Sequence, residues 1–175
     1  GAVSGLQHDV RGRRRIDHIR RAYHHGAYGD RGLGADLKVR PAAERDIPSM
    51  LLGVSAFADE AYPGEVMDSE HVMTFLRSTM ENPAGLVAVM ETDRGVFAGL
   101  FVAVFHANLL TGAPSMGEIL FYVDPDARGH GKKLLSYAEN RARERGCERA
   151  TLCHLDATAR IETAYRRWGY RPLER

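Results

Sequence analysis

The chain has 175 residues, 44% of them hydrophobic, with 24 basic and 23 acidic side chains and a formal net charge of +1. That length suits one domain with a full core, in the composition of an ordinary soluble globular protein. No apolar run approaches the ~20 residues of a membrane span, and the polar, arginine-rich start shows no secretory signal. The two cysteines, Cys147 and Cys153, fall on one predicted strand, roughly 20 Å apart if extended, so they cannot bridge each other. Isolated thiols fit a reducing cytoplasm.

Residues 1–36 form a basic arm, with Arg11, Arg13, Arg14, Arg15, Arg20 and Arg21 close together. Asp9 is placed to cap a short helix in which Ile16, Ile19 and Tyr23 share a face, with Gly26 ending it. Gly26, Gly29, Gly32 and Gly34 then mark a linker into the main domain, 37–175. Such an arm can dock nucleic acid, an acidic protein or a partner subunit of a homodimer. It can equally be a solvated tail. His8, His18, His24 and His25 lack metal-ligand spacing, so no metal is expected.

In the main domain, Leu37-Lys38-Val39 starts a first strand, and Asp46 is placed to cap a helix running to about Ala58. A second helix carries Val72, Phe75, Leu76 and Met80 at helical spacing and is stopped by Asn82-Pro83. Two β-rich runs, Leu86 to Glu91 and Val96 to Phe105, are joined by Thr92-Asp93-Arg94-Gly95 as a hairpin. A loop with Gly112 and Pro114 leads to a strand from Met116 to Val123. That strand stops at Pro125, turns through Arg128-Gly129-His130-Gly131 and opens into a helix that ends at Gly146. A strand from Ala150 to Leu155 and a helix from Thr158 to Trp168 complete the pattern. Antiparallel strands followed by a βαβ unit give an α/β sheet of mixed strand direction.

The turn before the third helix carries the most chemistry. Glycines let a backbone approach a ligand closely, and a helix start adds unpaired N–H groups and a positive dipole end. Together these suit a pyrophosphate. A P-loop is excluded, because Asp126 stands where its first glycine belongs and Lys133 where its hydroxyl belongs. A dinucleotide fingerprint is excluded by Leu134 at its third glycine.

The passage Glu118-Ile119-Leu120-Phe121-Tyr122-Val123-Asp124-Pro125, followed by Arg128-Gly129-His130-Gly131, resembles the GNAT-type N-acetyltransferases. Gly146-Cys147-Glu148-Arg149-Ala150-Thr151-Leu152 is similar to that family's helix end and fifth strand, and Ala164-Tyr165-Arg166-Arg167-Trp168-Gly169-Tyr170 to its tyrosine segment. Leu37-Lys38-Val39-Arg40-Pro41-Ala42 with Asp46-Ile47 is similar to its first strand and helix. Anchored on the buried pair Leu134-Leu135, the resemblance puts Gly129 and Gly131 on the two motif glycines and Asp126 on the usual Arg/Gln position. Arg128 and Lys132 then supply the positive charge. Thr158 stands where the family often has Asn. With a sixth strand only beginning at the last residues, the family's C-terminal strand is expected to be truncated, leaving an open acceptor side.

The resemblance implies a GNAT-like mixed central sheet, with antiparallel N-terminal strands and parallel, splayed fourth and fifth strands, flanked by helices. It implies acetyl-CoA as cosubstrate, held by Phe121, Tyr122, Val123, Arg128, Gly129, His130, Gly131 and Lys132. It also implies direct acetyl transfer to a primary amine in a ternary complex, with Glu118 as general base and Tyr165 as general acid. Strand alternation places Glu118 on one face with Leu120 and Tyr122, where apolar neighbours raise a carboxylate's pKa towards a useful value for a base. His154 is a reserve base. Asp59, Glu60, Glu65, Asp68 and Glu70 form an acidic rim suited to a cationic amine, either a small molecule or a protein lysine. The alternative is a catalytically inactive module of the same fold that binds or assembles through its basic arm.

Overall fold

A computed structural model describes residues 36–153 and 159–171. The basic arm, His154, Thr158 and the start of the sixth strand lie outside the described residues. The elements are β1 (Leu37–Pro41), a 3₁₀ turn (Glu44–Asp46), α1 (Ile47–Ala61), α2 (Ser69–Glu81), β2 (Gly85–Thr92), β3 (Phe97–Ala107) and β4 (Pro114–Val123). A second 3₁₀ turn (Pro125–Ala127), α3 (Gly131–Glu144), β5 (Arg149–Thr151) and α4 (Ala159–Arg167) follow. Among the described residues the strands form one sheet in the order β1-β2-β3-β4-β5. The first four are antiparallel, and β5 is parallel to β4. This is the expected mixed sheet. No helix among the described residues is long and apolar enough to cross a membrane.

Local signals set the boundaries. Asp68 caps α2, its Oδ1 accepting from the N–H groups of Glu70 and His71 at 3.0 Å each. Asn82 ends that helix and turns the chain, its side-chain oxygen accepting from Ala84 N–H at 2.8 Å. The β2–β3 turn closes where Thr92 Oγ1 accepts from Val96 N–H at 3.1 Å. Asp46, in contrast, does not cap α1. Its carboxylate accepts from Ala43 N–H at 2.8 Å and takes a bidentate pair from Arg40 at 2.7 and 2.9 Å. A strongly held guanidinium outcompetes the helix for that side chain.

One face of the sheet packs on α1 and α2. Ile47, Met50 and Leu76 bury against Val87, Val89, Leu100, Val102 and Tyr122. The approach is close: a Cβ on Gly53 of α1 would meet the Phe97 ring at 3.0 Å and Tyr122 at 3.2 Å. The opposite face carries α3, whose Leu134, Leu135, Ala138 and Ala142 are buried. A Cβ on Gly99 would stand 2.9 Å from Leu134, so β3 is glycine where α3 presses on it. The two faces therefore carry separate layers, and the end of β4 lies between them.

Two corrections concern the site. Opposed residues of an antiparallel pair share a face, and the β3–β4 register shifts by one between Val102↔Leu120 and Ala103↔Glu118. Ile119 is the extra residue of a β-bulge and is 45% exposed. Glu118 consequently lies on the face of Phe101 and Phe121, not with Leu120 and Tyr122. In addition, β5 is shorter than expected, so Cys147 and Cys153 flank that strand and both are free thiols.

Candidate active site

The parallel pairing of β4 and β5 runs only from Ser115↔Arg149 to Gly117↔Thr151. Glu118 is the next residue, at the point where the described strands part. Beyond it, Asp124 N–H donates to Ala98 at 3.0 Å, which orients Asp124 and, two residues back, Tyr122 into the ladder with β3. Alternation sends the backbone groups of Phe121 and Val123 to the edge that β5 has left. Tyr122 itself has its side chain in the α1/α2 core.

Glu118 is half-buried, and its Oε2 accepts from Cys153 N–H at 3.1 Å and from the Tyr165 hydroxyl at 3.4 Å. Burial pushes its pKa up to about 7, against the lowering effect of those two donors. Burial and the neighbouring Glu118 charge raise the Tyr165 phenol well above its ordinary value, so it is protonated at neutral pH. Burial and the same carboxylate also raise the Cys153 thiol, which is thereby a poor nucleophile.

Tyr165 is placed by its helix end. Gly169 has φ +94°, a left-handed conformation that glycine adopts without a Cβ penalty. It lets Tyr170 N–H reach back to Tyr165 C=O at 3.0 Å and Gly169 N–H to Arg166 at 3.1 Å. This is a Schellman cap, and its usual apolar contact is made by the rings of Tyr165 and Tyr170, with centroids 6.0 Å apart. The Tyr165 ring also lies parallel to Phe121 at 6.4 Å, and Phe121 meets Phe101 edge-on at 5.3 Å.

The turn into α3 carries backbone N–H groups that find no described backbone acceptor. None of the Gly129, Gly131 and Lys132 N–H groups donates to a described backbone carbonyl, whereas Lys133 N–H is taken by His130 at 2.9 Å. Gly129 has φ +103° with open space where a Cβ would be, so its conformation alone calls for glycine. Gly131 has a different reason. A Cβ there would stand 3.2 Å from both Phe121 and Val123, so glycine lets the helix start lie against β4. His130 holds the N-cap position without a side-chain capping bond. Arg128 donates to Glu60 at the end of α1 at 2.7 Å. Lys132 bonds both Glu139 oxygens at 3.2 Å and lies 5.8 Å from the Trp168 ring centroid. Asp126 is exposed, with its N–H taken by Asp124 Oδ1 at 3.1 Å.

The structure thus gathers Glu118, Tyr165 and Phe121 at one place and Val123, Arg128, Gly129, His130, Gly131 and Lys132 around the adjoining turn. Sequence reasoning missed the backbone of Cys153 and the partners Glu60 and Glu139. The Glu60–Arg128 pair has no local signal, since its members are 68 positions apart. Among the described residues no group of three or more His, Cys, Asp or Glu side chains is placed to hold a metal ion.

Residues 52–170 match the acetyltransferase (GNAT) family, and the chain belongs to that family. A transcriptional regulator from Bacillus halodurans shares the fold at TM-score 0.69 and 20% identity, over 79% of this chain and 95% of its own. A ribosomal-protein-alanine N-acetyltransferase from Brucella melitensis biovar Abortus does so at 0.66 and 15%, over 81% and 96%. An aminoglycoside 6'-N-acetyltransferase from Acinetobacter baumannii does so at 0.63 and 19%, over 79% and 93%. No curated protein sequence matches the chain.

Proposed function

We propose that the protein transfers the acetyl group of acetyl-CoA to a primary amine by direct attack in a ternary complex. The observation that carries this is a carboxyl group titrating near neutrality, bonded to a protonated phenol where β4 leaves β5. An aliphatic amine is a cation at neutral pH and must lose a proton to attack. One proton of that cation goes to solvent, Glu118 takes the second as the amine attacks, and Tyr165 protonates the leaving sulfur. The cosubstrate supplies an activated acetyl group. Its amide-bearing arm suits the Phe121 and Val123 edge, where an extended chain pairs as a strand would. Its pyrophosphate suits the N–H groups of Gly129, Gly131 and Lys132, with charge from Arg128 and Lys132 and a covering contact from His130.

A cationic acceptor fits the acidic segment Asp59 to Glu70, which adjoins the turn through the Glu60–Arg128 pair. Two proteins of this fold are named for N-acetylation, of an aminoglycoside and of a ribosomal protein's alanine. A cytoplasmic setting suits a chain that draws on acetyl-CoA, and no helix among the described residues is long and apolar enough to cross a membrane. The arm around Arg11–Arg21 is available to dock a partner, including a second copy.

Calorimetric titration with acetyl-CoA tests the cosubstrate site. Micromolar binding is expected. Gly131→Val should weaken it about tenfold or more, because the added methyls lift the helix start from Phe121 and Val123. No binding at millimolar ligand would show that the cradle is closed and that the fold serves a binding role. The same titration examines Arg128. Its pair with Glu60 is exposed and weak, and a pyrophosphate must displace it. Glu60→Gln is therefore expected to tighten CoA binding about threefold at low ionic strength, and the gain should fade with added salt.

A further inference from the structure

Three polar atoms surround the Tyr165 hydroxyl in a way that separate acid and base roles do not require. Tyr165 Oη lies 3.4 Å from Glu118 Oε2 and 3.4 Å from the carbonyl oxygen of Cys153, while Cys153 N–H donates to the same Oε2 at 3.1 Å. A phenol has one proton to give and lone pairs to receive one. With Glu118 ionised, the phenol proton points at the carboxylate. With Glu118 protonated, the carboxyl O–H points at the phenol oxygen, and the phenol proton is free to turn to Cys153 C=O or to another acceptor. Tyr165 is 6% exposed, so water has little access to this exchange.

We propose that Glu118 and Tyr165 act as one proton relay, in which the proton removed from the attacking amine is the one that replaces Tyr165's own after it leaves for the CoA sulfur. This rests on the functional reading above. Counted from the neutral amine, the balance closes within the protein. The amine N–H bond breaks and its proton goes to Glu118 Oε2. The new C–N bond forms, the C–S bond breaks, and the Tyr165 proton goes to the departing sulfur. The Glu118 proton then crosses to the Tyr165 oxygen. Products leave with Glu118 ionised and Tyr165 protonated, as they began, and bulk water only receives the proton that a cationic amine sheds before it attacks.

The order of acidities favours the last step. Burial, the largest cause of the raised Tyr165 phenol, persists when Glu118 is neutral, so the phenolate is more basic than the Glu118 carboxylate and the transfer runs downhill. Two separately recharged groups would instead pass through a state with a proton missing from one and surplus on the other, 3.4 Å apart and shielded from solvent. The distance is long for a hydrogen bond, and such catalytic contacts tighten in the ternary complex.

Two readouts test the relay. The first uses the ligand-free protein. Infrared titration of the Glu118 carboxyl should move upward in Tyr165→Phe, because the phenol donor is lost; a titration identical to wild type would overturn the relay whatever the enzyme's activity. The phenylalanine keeps the ring that stacks on Phe121, and the amide band of the same spectra reports folding. The second is acetyl transfer from acetyl-CoA to hydroxylamine, a small amine already unprotonated at neutral pH. Glu118→Gln and Tyr165→Phe should each lower kcat about 100-fold, and the double variant should fall by about the same factor. A loss equal to the product of the two would overturn the relay and leave the functional reading standing. No transfer by wild-type protein with acetyl-CoA bound would overturn that reading, and the relay with it.

Discussion

Glu118→Gln is expected to lower kcat by about 10²- to 10⁴-fold above neutral pH, the range that a positioned general base contributes. Glutamine keeps the shape and can still accept from Cys153 N–H, so the loss reports the proton-accepting function and not a collapsed pocket. In the wild type, kcat should rise with pH through about 7 as Glu118 loses its proton. That acid limb should vanish in the variant. The same substitution should stabilise the fold. Glu118 titrates near 7 when folded and at its ordinary 4.5 when unfolded. Between those values the folded state holds the extra proton, so stability falls as pH rises. Glutamine removes this cost, with a ceiling of about 3 kcal/mol at pH 8. Denaturant titrations at pH 5 and pH 8 separate the two cases: the gain belongs at pH 8 and should be small at pH 5.

Arg40→Met should have the opposite sign. The Arg40 side chain is 22% exposed and bridges Asp46 (13%) and Glu91 (10%), with bonds of 2.7 and 2.6 Å that join the 3₁₀ turn to β2. Removing it leaves two carboxylates largely out of water, Glu91 with Lys38 at 3.3 Å and Asp46 with the Ala43 N–H and the weaker influence of the Arg45 charge. A loss of about 3 kcal/mol is expected, as for breaking a buried ion pair from one side. Replacing all three together, as R40M/D46N/E91Q, should recover much of it, because no charge is then stranded. The pH signature is also distinct. Hydrogen bonds from Arg40 hold both Asp46 and Glu91 below their ordinary pKa values. Their contribution is complete above the unfolded values and is lost as pH falls through the folded ones. Arg40 thus protects the acid side of the stability profile, while Glu118 erodes the neutral side. Urea midpoints across pH in the two variants should diverge at opposite ends.

Much of this architecture is legible in the residues. The helical spacing of Val72, Leu76 and Met80, the turn at Thr92 to Gly95 and the Gly146 stop each have a local physical cause, and each stands where expected. The Tyr165 to Tyr170 segment is legible for the same reason, since its spacing is that of a helix cap. Tertiary competition was not. Asp46 has the chemistry of a helix cap and is instead taken by Arg40, six positions away on the preceding strand. The face of Glu118 was hidden by an apolar run. Ile119, Leu120, Phe121, Tyr122 and Val123 can fill either side of a sheet buried on both faces, so alternation has no polar marker to betray a bulge. Cys153 contributes only backbone groups, which no side-chain pattern announces.

The bulge at Ile119 also bears on how such a chain diversifies. Flattening the bulge with Ile119 kept would slip the register below it by one and turn Glu118 towards the α1/α2 layer, away from Tyr165, whereas deleting Ile119 would leave Glu118 opposite Ala103 on its present face. Which face this carboxylate takes depends on counting as much as on chemistry. A lineage can keep every residue of its chemical inventory and still change trade through a one-residue slip of register.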